Sequence, residues 1–196
     1  MTMGTADTSL KPFIVGIGGT PRVGSTTDRA LLIALEAAEE AGARTVFFGG
    51  AFLAKFPIYV PENRERTEEQ RQLIEAVRSA DGLIVASPGY HGGVSGLVKN
   101  ALDLLEDLRE DKRCYLAGRA VGCIITAHGW QTTGTALTAL RSIVHALRAW
   151  PTPFGAALNT TEGIFDAAGT CTDQKAIEQL TIVGRQVAEF AKKQRQ

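Results

Sequence analysis

The chain has 196 residues, room for one domain and little more. Its 44% hydrophobic and 21% charged residues are ordinary globular composition, which excludes wholesale disorder. With 21 Lys+Arg against 21 Asp+Glu there is no net charge to draw nucleic acid or an anionic membrane surface, and no apolar run approaches the roughly 20 residues of a membrane helix.

Residues 1–11 are small and polar, without a basic stretch followed by an apolar one, and read as a flexible leader before a single domain over 12–196. Phe13-Ile14-Val15-Gly16-Ile17 predicts a buried strand that ends at Gly18-Gly19. A helix is expected over 26–41, with Leu31, Leu32, Leu35 and Ala38 on one face and Gly42 just past its end. A second strand follows over 45–48, then a long connection over 49–66 that holds Pro57 and Pro61. Thr67 opens the next helix, with Glu68 and Glu69 where the dipole favours acids and Leu73, Ile74 and Val77 facing inward. The third strand is 82–86, a helix covers 95–108, and the fourth strand is 120–126. A helix over 133–148, a short fifth strand over 154–158 and a helix over 173–193 close the chain.

Strand and helix alternate, and the strands are continuous apolar runs. That pattern belongs to a parallel sheet covered on both faces, an α/β doubly wound fold with five strands. Cys114, Cys123 and Cys171 are odd in number and widely spaced, with no Cys-x-x-Cys pair and no His at metal spacing. No metal site is expected, Cys123 reads as a core residue, and a reducing cytoplasm fits.

Two loops carry the chemistry. Gly18-Gly19-Thr20-Pro21-Arg22-Val23-Gly24-Ser25-Thr26-Thr27 leads from the first strand into a helix, where unpaired N–H groups and the dipole favour an anion. A Walker A loop would need Lys where Ser25 stands, and a dinucleotide fingerprint would want an acid where the second strand ends in Phe47-Phe48-Gly49-Gly50. What remains is a hydroxyl-rich loop, Thr20, Ser25, Thr26 and Thr27 with Arg22, suited to a terminal monophosphate. The second loop, Ser87-Pro88-Gly89-Tyr90-His91-Gly92-Gly93, follows the third strand. In the strand order 2-1-3-4-5 the first and third strands flank the switch point, so both loops share one crevice able to hold a planar group.

These residues resemble the NADPH-dependent FMN reductases, a flavodoxin-like group that includes sulfonate-system flavin reductases and azo and quinone reductases. Gly19-Thr20-Pro21-Arg22-Val23-Gly24-Ser25 is similar to that family's phosphate loop, and Ser87-Pro88-Gly89-Tyr90-His91 to its loop beside the isoalloxazine. Gly96-Leu97-Val98-Lys99-Asn100-Ala101-Leu102-Asp103 is similar to the helix that follows, and the resemblance spans about residues 12 to 160. The segment after the fourth strand departs from the pattern: Thr126-Ala127-His128-Gly129-Trp130-Gln131 has one glycine where many members have several.

The resemblance implies a three-layer flavodoxin-like sandwich and FMN reduced by hydride transfer from NADPH or NADH. Thr20, Arg22, Ser25, Thr26 and Thr27 would hold the phosphate, and Pro88, Gly89, Tyr90, His91, Gly92, Gly93, His128 and Gly129 would surround the ring. Backbone N–H groups from Gly89 to Gly93 would meet negative charge on the reduced ring, and no side chain is expected to act as an acid or base. Reduced FMN would feed a monooxygenase, or bound FMN would reduce a quinone, azo compound, nitro compound or metal oxyanion. The rivals are a flavodoxin-type electron carrier, which the zero net charge disfavours, and a non-catalytic FMN-binding module. Arg22, Arg64 and Arg66 are candidates for the 2′-phosphate of NADPH. Across 95–108 the apolar arc is roughly 160° wide, more than the ~100° one buried face needs. A homodimer or homotetramer through that helix is therefore expected.

Overall fold

The computed structural model describes residues 11–195, and its main strands are separated by helices. The expected leader lies outside the described residues apart from Lys11. The first half comprises β1 (Phe13–Gly18), α1 (Thr26–Glu40), β2 (Arg44–Phe48), α2 (Gly50–Leu53), α3 (Glu68–Ser79), β3 (Gly82–Tyr90) and β4 (Gly93–Val94). The second comprises α4 (Gly96–Asp103), a 3₁₀ segment (Leu104–Leu108), β5 (Ala120–Ala127), α5 (Trp130–Ala146), β6 (Trp150–Pro151), β7 (Ala156–Asn159) and α6 (Gln174–Arg195).

The sheet has seven strands where five were expected, in the central order β2-β1-β3-β5-β6. The expected order survives because β6 and β7 share the fifth position end to end. β6 pairs with the start of β5 and β7 with its end, both parallel. Pro151 and Pro153 explain the break, since proline brings no N–H to a ladder. The gap is held by side chains: Arg141 Nη1 donates to Thr152 O (2.8 Å) and the Thr152 hydroxyl to Phe154 O (2.9 Å). The remaining extra strand, β4, returns antiparallel along the tip of β3.

β3 runs past the expected end at Ala86 to Tyr90. Ser87 and Pro88 continue the pairing with Ile125 and Thr126 of β5, while β1 has already ended opposite Ala86. Pro88 thus sits where one side of β3 has no neighbour, and its missing N–H costs no ladder bond.

Side chains alternate through the sheet into two cores. Val15, Ile17, Val85, Cys123 and Ile125 pack with Leu73, Val77 and Leu140 from α3 and α5, whereas Ile14, Ile84 and Ile124 pack with Leu31, Leu180 and Val183 from α1 and α6. The helix expected over 95–108 is α4 followed by the 3₁₀ segment. Its Val98, Ala101, Leu102, Leu104, Leu105 and Leu108 are all buried within this chain's own core. Most of the wide apolar arc is therefore covered by this chain's own core, with Leu97 half-buried. α5 begins at Trp130, three residues before its expected start.

Candidate functional site

At the C-terminal edge of β1 the chain turns through Gly19, whose φ of 107° and position suit only glycine: a Cβ there would lie 1.7 Å from Asp28 Oδ1. The loop then enters α1 with Ser25 as N-cap, its hydroxyl oxygen accepting from Asp28 N (3.2 Å). Asp28 N is thereby taken, which leaves the Thr26 and Thr27 N–H groups at the mouth of the helix. Behind them the buried Asp28 carboxylate accepts from Gly50 N (3.2 Å), tying α1 to the start of α2. The Thr27 hydroxyl meets the Thr126 hydroxyl at 2.6 Å, a buried link between α1 and the end of β5.

The second wall is the β3–β4 hairpin. His91 (φ 51°) and Gly92 (φ 81°) are its two central residues, and positive φ at both matches the turn to the twist of the strands. Tyr90 and His91 are exposed at its tip. Gly89 faces Val94 and Tyr90 faces Gly93 across the hairpin, while His91 and Gly92 form its turn outside the strand pairs. The third wall is the end of β5 with the start of α5, where Gly129 is the N-cap and no side chain caps the helix.

These walls enclose an open cleft of about 820 Å³. Thr20, Arg22, Ser25, Thr26 and Thr27 line one side, Pro88, Gly89, Tyr90 and His91 the second, and His128 the third. Gly92, Gly93 and Gly129 do not line it; they shape the turns behind it. Pro21, Thr126, Ala127, Thr132 and Thr160 also line the cleft and were not anticipated. The usable signal for Thr126 and Ala127 was their place at the carboxyl end of a strand beside the switch point. Arg22 is exposed and, among the described residues, is the one Lys or Arg lining the cleft, with no Asp or Glu beside it in the lining.

Arg64 and Arg66 lie elsewhere, in a separate cleft of about 890 Å³ beside α3. Arg66 is bound there to Asp107 by two hydrogen bonds of 2.9 Å, so neither residue lines the cleft of Arg22. Cys123 is sealed in β5, where burial pushes its thiol up to about 12, and burial raises the Cys171 thiol as well.

A parallel sheet in this order, with helices on both faces, defines a flavodoxin-like fold. Residues 12–162 match the family described as NADPH-dependent FMN reductase. An iron-sulfur flavoprotein of Methanocaldococcus jannaschii is 28% identical over 188 residues, 91% of this chain and 97% of that protein. An FMN-dependent NADPH-azoreductase of Staphylococcus aureus is 35% identical over 88 residues, 44% of this chain but only 43% of the azoreductase. Among solved structures, the flavoenzyme NAD(P)H:(acceptor) oxidoreductase FerB of Paracoccus denitrificans has a TM-score of 0.75 at 18% identity, covering 93% of this chain and 98% of FerB. An NADH:FMN oxidoreductase in its apo form has a TM-score of 0.66 at 21% identity, covering 92% and 89%. At those identities the structures speak for the fold alone. The chain belongs to the NADPH-dependent FMN reductase family and is an NAD(P)H-dependent flavin oxidoreductase that uses FMN.

Proposed function

We propose that the cleft holds FMN with its phosphate at the start of α1 and its ring between the hairpin and the end of β5, and that NAD(P)H reduces it there for delivery to a small acceptor. One observation carries the reading. A helix N-terminus, the hydroxyls of Thr20 and Thr26 and, among the described residues, an arginine with no carboxylate beside it in the lining converge at the switch point. The Thr20 and Thr26 hydroxyls and the Thr26 and Thr27 N–H groups would donate to the phosphate, Ser25 would hold the helix start beneath it as N-cap, and Arg22 would close over it. Thr27 would serve as a wall, because its hydroxyl is engaged with Thr126. Pro88, Gly89 and Tyr90 would form the platform for the ring, with His91 and His128 at the entrance.

When bound, FMN supplies hydride acceptance and onward electron delivery, while the protein supplies placement and field. The uncapped start of α5 is a source of positive potential for a reduced ring. Hydride transfer is the flavin's own chemistry, so we assign no side chain an acid–base role. The cleft opens past Tyr90, His91 and His128, all exposed, which favours a diffusible planar acceptor such as a quinone, azo or nitro compound. The iron–sulfur half of the archaeal relative's name is not carried over: clusters of that kind are held by four thiolates, and this chain has 3 cysteines, one of them sealed in β5.

The test is the absorption spectrum of the purified protein before and after anaerobic NADPH. A yellow protein that survives extensive dialysis and bleaches with NADPH supports bound FMN serving a small acceptor. Colourless protein that turns over added FMN would instead assign it to supplying reduced FMN to a monooxygenase. Arg22→Ala combined with Ser25→Ala should weaken FMN binding at least tenfold, roughly the worth of one charge-assisted hydrogen bond. Unchanged affinity would remove the phosphate assignment.

A further inference from the structure

Two cavities flank the segment that follows β5. His128 and Thr160 line the cleft, whereas Trp130 and Asn159 line a neighbouring cavity of about 280 Å³. Asn159 is the last residue of β7 and faces Ala127, the last of β5. Thr160 N donates to Ala127 O (2.9 Å), and there the backbone ladder gives out. The next link is made by a side chain: Gly129 N donates to Asn159 Oδ1 (3.0 Å).

The same oxygen accepts from Thr161 N (3.1 Å) and from the Thr161 hydroxyl (2.7 Å). Backbone N–H groups only donate, so the atom they share is the amide oxygen and the orientation of the side chain is fixed. The turn onto Thr161 pins that oxygen, and the oxygen pins Gly129. Gly129 has a φ of 93°, caps α5 without a side chain, and is followed by the exposed Trp130. The start of α5, one wall of the cleft, is thus held by a backbone conformation that glycine alone adopts easily and by one oxygen of Asn159.

We infer that Asn159, which does not line the cleft, is a positioning residue: through Gly129 it holds the N-terminus of α5 against the flavin and so sets FMN affinity and potential. The inference rests on the FMN reading above. Asn159→Ala leaves Gly129 N without its acceptor. Asn159→Asp keeps the acceptor and places a negative charge at the positive end of α5. Thr161→Ala spares the Gly129 bond and serves as the control.

FMN affinity by quenching of flavin fluorescence, melting of the apo protein and the midpoint potential of bound FMN distinguish the variants. Asn159→Ala should weaken FMN about fivefold, the scale of one part-buried hydrogen bond. Thr161→Ala should stay within about twofold of wild type, since the bond to Gly129 remains. Asn159→Asp should melt like the wild type yet shift the midpoint potential of bound FMN to more negative values, because the carboxylate opposes the helix dipole. Wild-type affinity in Asn159→Ala, or a wild-type potential in Asn159→Asp, overturns the inference. If Asn159→Ala does not fold, the potential of Asn159→Asp decides. Wild-type protein that takes up no FMN removes the functional reading and this inference together; FMN binding indifferent to Asn159 removes the inference alone.

Discussion

Asp28 combines the burial of a core residue with the chemistry of an anion. It stands in the first turn of α1, where the dipole favours a carboxylate, and only 6% of it is exposed. Burial raises its carboxyl above the ordinary carboxylate value of 3.8, against the hydrogen bonds with Gly50 and Ser25 that lower it. A folded value above the unfolded one means that the native state holds this proton more tightly. The contribution of Asp28 to stability is therefore greatest at low pH and falls as pH rises from about 4 through the raised folded value. Asp28→Asn keeps an acceptor for Gly50 N and removes the ionisation. The variant's apo protein should melt higher than wild type at pH 7, with the difference closing near pH 4. A lower melting temperature at pH 7 would show that attraction to the helix dipole outweighs the cost of burying the charge.

At the scale of elements, Arg119 at the head of the β5 segment fastens the end of α3. Its Nε donates to Ala80 O (2.9 Å), Nη2 to Arg78 O (2.8 Å) and Nη1 to Tyr115 O (2.7 Å), and only 1% of the residue is exposed. Burial pulls its pKa down to about 10, so the site is held by the three carbonyls and the negative end of the helix. Lysine cannot reproduce the planar fork. Arg119→Lys should cost about 2 kcal/mol in urea unfolding, while FMN affinity of the folded protein stays unchanged because the cleft lies at the other end of the strands. The elements also show where sequence reading succeeds. β1, β3 and β5 were legible as continuous apolar runs, because strands buried on both faces carry no polar alternation. The extension of β3 through Ser87-Pro88, the broken fifth position and the early start of α5 were not, since polar residues, prolines and an uncapped glycine read as loop. Of the site, the glycine–hydroxyl loop and the Pro88–His91 tip were legible because each is a local pattern. Asp28 and Asn159 were not: their roles depend on Gly50 and Gly129, far along the chain.

For the whole molecule, the balance of 21 Lys+Arg and 21 Asp+Glu leaves no net field to steer an anion toward the cleft. The attraction that remains is local. Among the described residues lining the cleft, Arg22 is the one Lys or Arg, and it is exposed. Exposed charge interactions are screened over about 10 Å at 0.1 M salt, whereas hydrogen bonds from helix N–H groups and buried hydroxyls are far less sensitive. The salt dependence of FMN binding should therefore be shallow and should come from Arg22. Between 0.05 and 0.5 M salt the wild-type dissociation constant is expected to rise roughly threefold, the scale of one exposed ion pair. Arg22→Ala should bind more weakly at every salt concentration but with a nearly flat dependence, so the two curves converge at high salt. Titrations of both proteins across that range check this directly. Parallel curves would mean that the charge reading the phosphate is the helix terminus, with Arg22 a bystander.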